Sequence, residues 1–215
     1  MRIILVATIV IFVSIVCTAQ KKAEDFGIWY GSEFSYKLSK GTYLVGAISL
    51  RTADNASSVR RFHYEIGAEK KFFKELVVGL KYRNRFLFDY DGNEVNNRFM
   101  LDLSNKQKLG DFGIQLRSRL QYTIRNNDDA IDERLRLKID YKLEENIKVY
   151  IYDEFFFRLN NNQGTPYSGF RFGFGAKYEF NEKLALDIGY LRSSEFNTKS
   201  PEILNVFQAE LNVNF

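Results

Sequence analysis

The chain runs to 215 residues with 31 Lys and Arg against 27 Asp and Glu, a formal net charge of +4 that gives no argument for a nucleic-acid partner. One histidine rules out a His-rich zinc site, and one cysteine rules out an internal disulfide. Tyr and Phe supply nearly all of a 16% aromatic share and only two prolines occur, which biases the chain toward long β-strands.

The first element is a targeting segment. Met1 and Arg2 precede the apolar run IILVATIVIFVSIV, which closes on Cys17-Thr18-Ala19 before Gln20. A charged start, an apolar centre and small residues at the cleavage point predict a signal peptide over residues 1–19. The run is too short to span a bilayer comfortably, and no later apolar run reaches the ~18 residues that a membrane helix needs. Val16 is a poor lipoprotein cleavage residue, so cleavage near Ala19 is expected, and it removes the only cysteine, Cys17. Residues 20–215 are expected to form one domain; loss of Arg2 leaves it a net charge of +3 and no thiolate nucleophile.

From Phe26 onward, apolar and polar residues alternate in segments near 26–38, 42–51, 60–70, 75–88, 97–105, 112–125, 131–143, 147–159, 167–180, 183–193 and 202–215. In the clearest, Ile131, Leu135, Leu137, Ile139, Tyr141 and Leu143 share one face and Asp132, Arg134, Arg136, Lys138, Asp140 and Lys142 the other, with Glu133 alone breaking the apolar side. The segment before it sets Phe112, Ile114, Leu116, Leu120, Tyr122 and Ile124 against Gln115, Arg117, Arg119, Gln121 and Arg125. The one after sets Val149, Ile151, Phe155, Phe157 and Leu159 against Lys148, Glu154 and Arg158. Such segments exceed the ~5–6 residues usual in soluble sheets and match the ~9–11 of a tilted membrane strand.

Connections alternate as well. KLSKG (37–41), KKFFKE (70–75), KQKLGD (106–111), KLEEN (142–146) and FNEK (180–183) are short, whereas those near 51–60, 89–97, 125–130, 160–166 and 192–201 are longer and polar. Short turns on one side and longer loops on the other fit an all-β, antiparallel, up-and-down transmembrane barrel with its turns in the periplasm. A bilayer admits strands only in a closed barrel, because every backbone donor and acceptor must be paired. A soluble lipocalin-like barrel is disfavoured by the number and length of the strands, by the continuous charged face, and by the terminal Leu211, Val213 and Phe215 on one face. That ending is expected to act as the signal read by the barrel-insertion machinery. Tyr30, Tyr36, Tyr82, Tyr122, Tyr141, Tyr178 and Tyr190 are candidates for interfacial girdles.

Strand number meets a conflict. Counting back from a last strand that ends at the turn side puts the start of segment 26–38 at the loop side, where a chain leaving a signal peptidase should not begin. Bacterial single-chain barrels have even strand numbers, so ten or twelve strands are expected.

DFGIW (25–29), the KLSKG-type turns, the arginine-alternating middle strands and the terminal Phe215 together resemble an uncharacterised family of Gram-negative outer-membrane barrels, known only as a domain of unknown function. The resemblance covers nearly all of residues 25–215; it implies this fold and a bacterial outer-membrane location, and transfers no catalytic residue.

The charged phase predicts a lumen lined by Arg61, His63, Glu65, Glu69, Lys81, Arg83, Arg85, Arg98, Asp102, Arg117, Arg119, Arg134, Arg136, Lys138, Asp140 and Glu154. A basic-biased lumen attracts anionic solutes, whereas a ladder of cross-strand ion pairs would fill and plug it. Ser57 and Ser58 lie in the loop beside His63 rather than on its face, so a nucleophile and base pair, and with it a lipid-modifying enzyme, is disfavoured. Asp89, Asp91 and Glu94 around Gly92 lack EF-hand spacing and read as a solvated turn, as do Asp128 and Asp129. The expectation is a small passive channel or solute-binding barrel with no enzyme activity, no cofactor and no metal. Its expected partners are outer-membrane lipid, the insertion machinery and a small anionic solute, with a plugged structural or adhesion barrel as the alternative.

Overall fold

The computed structural model describes residues 23–73, 75–88, 92–125, 128–160, 166–197 and 201–215. The signal-peptide segment 1–19, and Asp89 and Asp91 of the acidic loop, lie outside these described residues.

Each of the eleven alternating segments forms a strand: β1 Ala23–Ser39, β2 Thr42–Ala53, β3 Ser58–Phe72, β4 Leu76–Leu87, β5 Glu94–Leu109, β6 Phe112–Ile124, β7 Ala130–Lys142, β8 Ile147–Arg158, β9 Tyr167–Glu179, β10 Leu184–Glu195 and β11 Glu202–Asn214. They close into a single barrel, each strand paired with its sequence neighbours and β1 paired with β11. The expectation of ten or twelve strands is therefore corrected to eleven. The reason is directional: ten hairpin reversals leave the eleventh strand pointing the same way as the first, so closure requires one parallel ladder. That ladder runs from Ala23 opposite Glu202 to Ser35 opposite Asn214, and every other pairing is antiparallel. The first segment is a wall strand, and its start shares the loop end of the barrel with the start of β11.

The short turns follow local chemistry. Leu109 and Phe112 pair across the two residues Gly110 and Asp111, and Gly110 has φ +63°, which a residue lacking Cβ adopts without penalty. The connection expected over 51–60 is tighter than its sequence suggests, because β2 and β3 extend into it and leave only residues 54–57 outside the strands. Asp54, Asn55 and Ala56 take positive φ there, and the Asp25 carboxylate accepts from the backbone N–H groups of Asp54 and Asn55, each at 2.9 Å.

Period-2 alternation puts Leu, Ile, Phe and Tyr outside and most charges inside. All seven candidate girdle tyrosines face outward, as do Leu211 and Val213 of the final strand. Glu133 also faces outward, where it accepts from Ser118 Oγ at 3.1 Å. Asp153 is another acidic break in the outer face, between Leu137 and Phe172 and only 7% exposed.

The barrel interior holds one apolar cluster, Tyr150, Tyr152, Leu191 and Val206, with Trp29 and Leu204 packed against it. Glycines on β9 make room for the rings: a Cβ at Gly173 would meet the Tyr152 ring at 2.5 Å, and one at Gly175 would meet Ile188 O at 2.5 Å and Tyr150 Oη at 2.6 Å. Because one of the obstacles at Gly175 is backbone, Gly175→Ala is expected to cost about 1–3 kcal/mol of unfolding free energy. A lower urea midpoint at unchanged slope is the readout, and an unchanged midpoint would mean that the β9–β10 ladder yields freely.

Candidate functional site

The inward face carries a ladder of charge-assisted hydrogen bonds that follows strand pairing. Arg119 on β6 grips Asp102 on β5 with two parallel bonds, Nε to Oδ1 and Nη2 to Oδ2. On β4, Arg83 Nε donates to Glu65 of β3 at 2.8 Å, and Lys81 Nζ lies 2.8 Å from Glu69 and 3.7 Å from both Glu65 and Asp102. Glu154, at the middle of β8 and 1% exposed, accepts from three guanidiniums: Arg117 at 2.7 Å, Arg134 at 2.6 Å and Arg171 at 3.1 Å. These pairs join strands no more than two apart, so they run along the wall.

Between the walls lies a cavity of about 470 Å³, lined by eleven Lys and Arg side chains and seven carboxylates. A smaller cavity of about 130 Å³ lies toward the loop end, bounded by Arg60, Arg61, Glu195 and Glu202. At that mouth Arg60, set at the bulge between the Arg51–Arg61 and Thr52–Val59 pairs of β2 and β3, reaches Glu202 of β11 at 3.0 Å. Trp29, Arg51 and Arg171 border both cavities. The Arg51 and Arg171 guanidiniums stand over the Trp29 ring, 3.7 and 5.1 Å from its centroid. Cation–π contact holds the Arg51 charge there without a salt bridge among the described residues, whereas Arg171 also reaches Glu154. Arg136 over Tyr152 and Lys138 over Tyr150 repeat the device, at 5.9 and 3.6 Å.

Of the residues expected to line the lumen, His63, Glu65, Glu69, Lys81, Arg83, Asp102, Arg117, Arg119, Arg134, Arg136, Lys138 and Glu154 border the larger cavity, and Arg61 borders the smaller. Arg85, Arg98 and Asp140 face inward but border neither. Arg98 is held by Thr123 at 2.8 Å and Gln121 at 3.0 Å, and Asp140 lies against Gly113. His63 is 3% exposed, and its Nδ1 has no hydrogen-bond partner among the described residues. Ser57 Oγ donates to the Asp54 carbonyl at 2.6 Å and Ser58 Oγ to the Asp54 carboxylate, so neither serine serves His63. Asp129, near the loop end, accepts from the Tyr122 hydroxyl.

Trp29, Glu33, Arg51, Lys106, Arg171, Lys177, Asp187 and Glu210 also border the larger cavity, outside the sequence-derived set. The signal for several was the same alternation, continued through inward glycines: Gly169, Arg171, Gly173, Gly175 and Lys177 share one face of β9. An inward face built of glycine and charge lacks the contrast that marks β7.

Fold and site together define a closed β-barrel with an ionic lumen. The chain belongs to the family described as a protein of unknown function, DUF2490, whose model matches residues 26–203. Among solved structures, the NanC porin in a rhombohedral crystal form shares the fold at 12% identity and a TM-score of 0.51, over 78% of this chain and 86% of that one. The translocator domain of the autotransporter NalP from Neisseria meningitidis matches at 13% identity and a TM-score of 0.43, over 77% of this chain and 71% of that one. No curated protein sequence matches the chain.

Proposed function

We propose that the mature chain is an outer-membrane barrel that conducts or binds small anionic solutes through a basic lumen, with no catalytic step. Its location is supported by the outer surface. Leu80, Leu101, Leu116, Ile188 and Phe207 stand exposed on the outward face, far beyond the apolar patch a water-soluble monomer tolerates. Lipid is the solvent that makes such a band favourable, and a closed barrel leaves no strand edge unpaired within it. A signal peptide over 1–19 would deliver the chain to the insertion machinery, for which Leu211, Val213 and Phe215 are the candidate signal.

The solute preference rests on one observation: eleven cationic and seven anionic side chains border a cavity that the ion-pair ladder leaves open. A surplus of fixed positive charge inside a low-dielectric wall concentrates anions and repels cations.

The test is single-channel conductance and reversal potential of refolded residues 20–215 in a planar bilayer under a salt gradient. Steady openings with anion preference are expected. Arg51→Gln and Arg136→Gln should weaken that preference, since among the described residues neither arginine enters an ion pair. A folded, heat-modifiable barrel that passes no current would remove the channel and favour a plugged structural barrel.

A further inference from the structure

We infer that the lumen is polarised across its width and that this polarity selects a small zwitterionic solute, a single molecule bearing an ammonium and a carboxylate. The inference deepens the proposed solute-binding function and rests on it.

The polarity follows from which strands carry which charges. On the wall made by β10, β11 and β1, the larger cavity meets Asp187, Glu210 and Glu33 and no Lys or Arg. On the wall made by β4 to β7 it meets eight Lys and Arg side chains against the single carboxylate of Asp102. In the ring order of strands, β11 lies across the barrel from the β5–β6 pair. The negative and positive walls therefore face each other across the cavity.

Lys138 and Lys177 lie within electrostatic reach of the acidic wall, but neither forms a salt bridge with it. Asp187 and Glu210 are direct cross-strand partners, an arrangement in which like charges repel. Among the described residues, none of Asp187, Glu210 and Glu33 enters an ion pair. Asp187 accepts from the Tyr150 hydroxyl, while Lys138, the cation at that ring, lies over its face. On the opposite wall the cavity meets donors without a hydrogen-bond partner among the described residues: Nε of Arg117 on β6 and of Arg134 and Arg136 on β7. A carboxylate bound at these donors with an ammonium at the acidic wall would satisfy both sets at once. A simple anion gains at one wall only, and a simple cation meets the net positive charge of the lumen. The volume of about 470 Å³ suits a solute of amino-acid to dipeptide size.

Trp29 is the only tryptophan in the chain and borders the cavity, so its fluorescence reports occupancy whether or not the barrel conducts. Refolded residues 20–215 in detergent micelles are titrated separately with diglycine, acetate and ethylammonium. Diglycine should give a saturable change with a Kd at least fivefold below that of acetate, and ethylammonium should give none. Asp187→Asn and Glu210→Gln should each raise the diglycine Kd toward that of acetate; Glu33→Gln serves if either fails to refold. Diglycine binding no tighter than acetate, a flat titration with all three probes, or variants that bind diglycine like the parent would each overturn the zwitterion site. Failure of the two readings is distinguishable. An anion-selective pore that treats diglycine and acetate alike keeps the pore and loses the site, whereas diglycine preference without current keeps the site and loses the pore.

Discussion

Glu154→Gln is expected to lower the unfolding free energy of the barrel by about 3–5 kcal/mol, the range for removing one partner of a buried charge cluster. One carboxylate, 1% exposed, neutralises guanidiniums from β6, β7 and β9 that otherwise converge on the same point. The amide keeps the shape of the side chain, so packing is nearly unchanged and the loss is electrostatic. Three cations would then face one another without their shared counter-charge. Arg134 and Arg171 retain only the face of Phe156, at 4.8 and 5.0 Å, as a shared neighbour. The measurement is reversible urea unfolding of the refolded barrel, with Glu69→Gln as comparison. Glu69 pairs with Lys81 at a side-chain exposure of 30%, so its loss should cost at most about 1 kcal/mol. A second readout separates charge from packing: the reversal potential should move toward stronger anion preference, because the removed negative charge borders the cavity. Equal stability of Glu154→Gln and Glu69→Gln would sink the view that Glu154 is the keystone of the arginine ladder.

The strands were legible because the sequence alternates between two solvents with opposite demands, and a slip of one residue would turn every side chain to the wrong side. Strands β6, β7 and β8 could be assigned to faces from sequence because both faces are strongly marked. That the ring closes was legible, but the strands' parity and the parallel seam were not. Parity of the strand count depends on whether Ala23–Ser39 joins the wall, and nothing in its alternation distinguishes a parallel neighbour from an antiparallel one. The site was half legible for a related reason. Arginines on β4, β6 and β7 stand among apolar neighbours and announce themselves, whereas Asp187 and Glu210 are acids whose adjacent inward residues on the same strand, Ala185 and Gly189, Gln208 and Asn212, are small or amide. Their significance lies in being opposite each other and facing the basic wall, a relation that exists only once the ring is closed. Trp29 was hidden for the converse reason: an aromatic residue reads as outward-facing, although alternation from outward Tyr30 turns it inward, where it pairs with Arg51.

Leu101→Arg is expected to destabilise the barrel by about 2–4 kcal/mol in phospholipid bilayers, the cost of a basic side chain on the lipid face near the midplane. Leu101 lies at the middle of β5, with Leu80 and Leu120 directly abreast on β4 and β6. The three are 44%, 66% and 43% exposed on the outer surface. In water this row is a liability, so an arginine within it would be neutral or favourable. In hydrocarbon it is the correct surface, and an arginine there must bend toward the headgroups or draw water in. The sign of the effect thus reports which solvent surrounds the barrel, independently of any current through it. Asn212→Arg is the matched control, since Asn212 borders the lumen opposite Glu33 and beside Glu210, so the same new charge there meets water and acids. It should alter selectivity with little change in stability. Equilibrium urea unfolding from lipid vesicles measures both. If Leu101→Arg proves as stable as the parent while Asn212→Arg also folds, the outer leucines do not face lipid, and both the bilayer location and a transmembrane passage for solutes lose their physical basis.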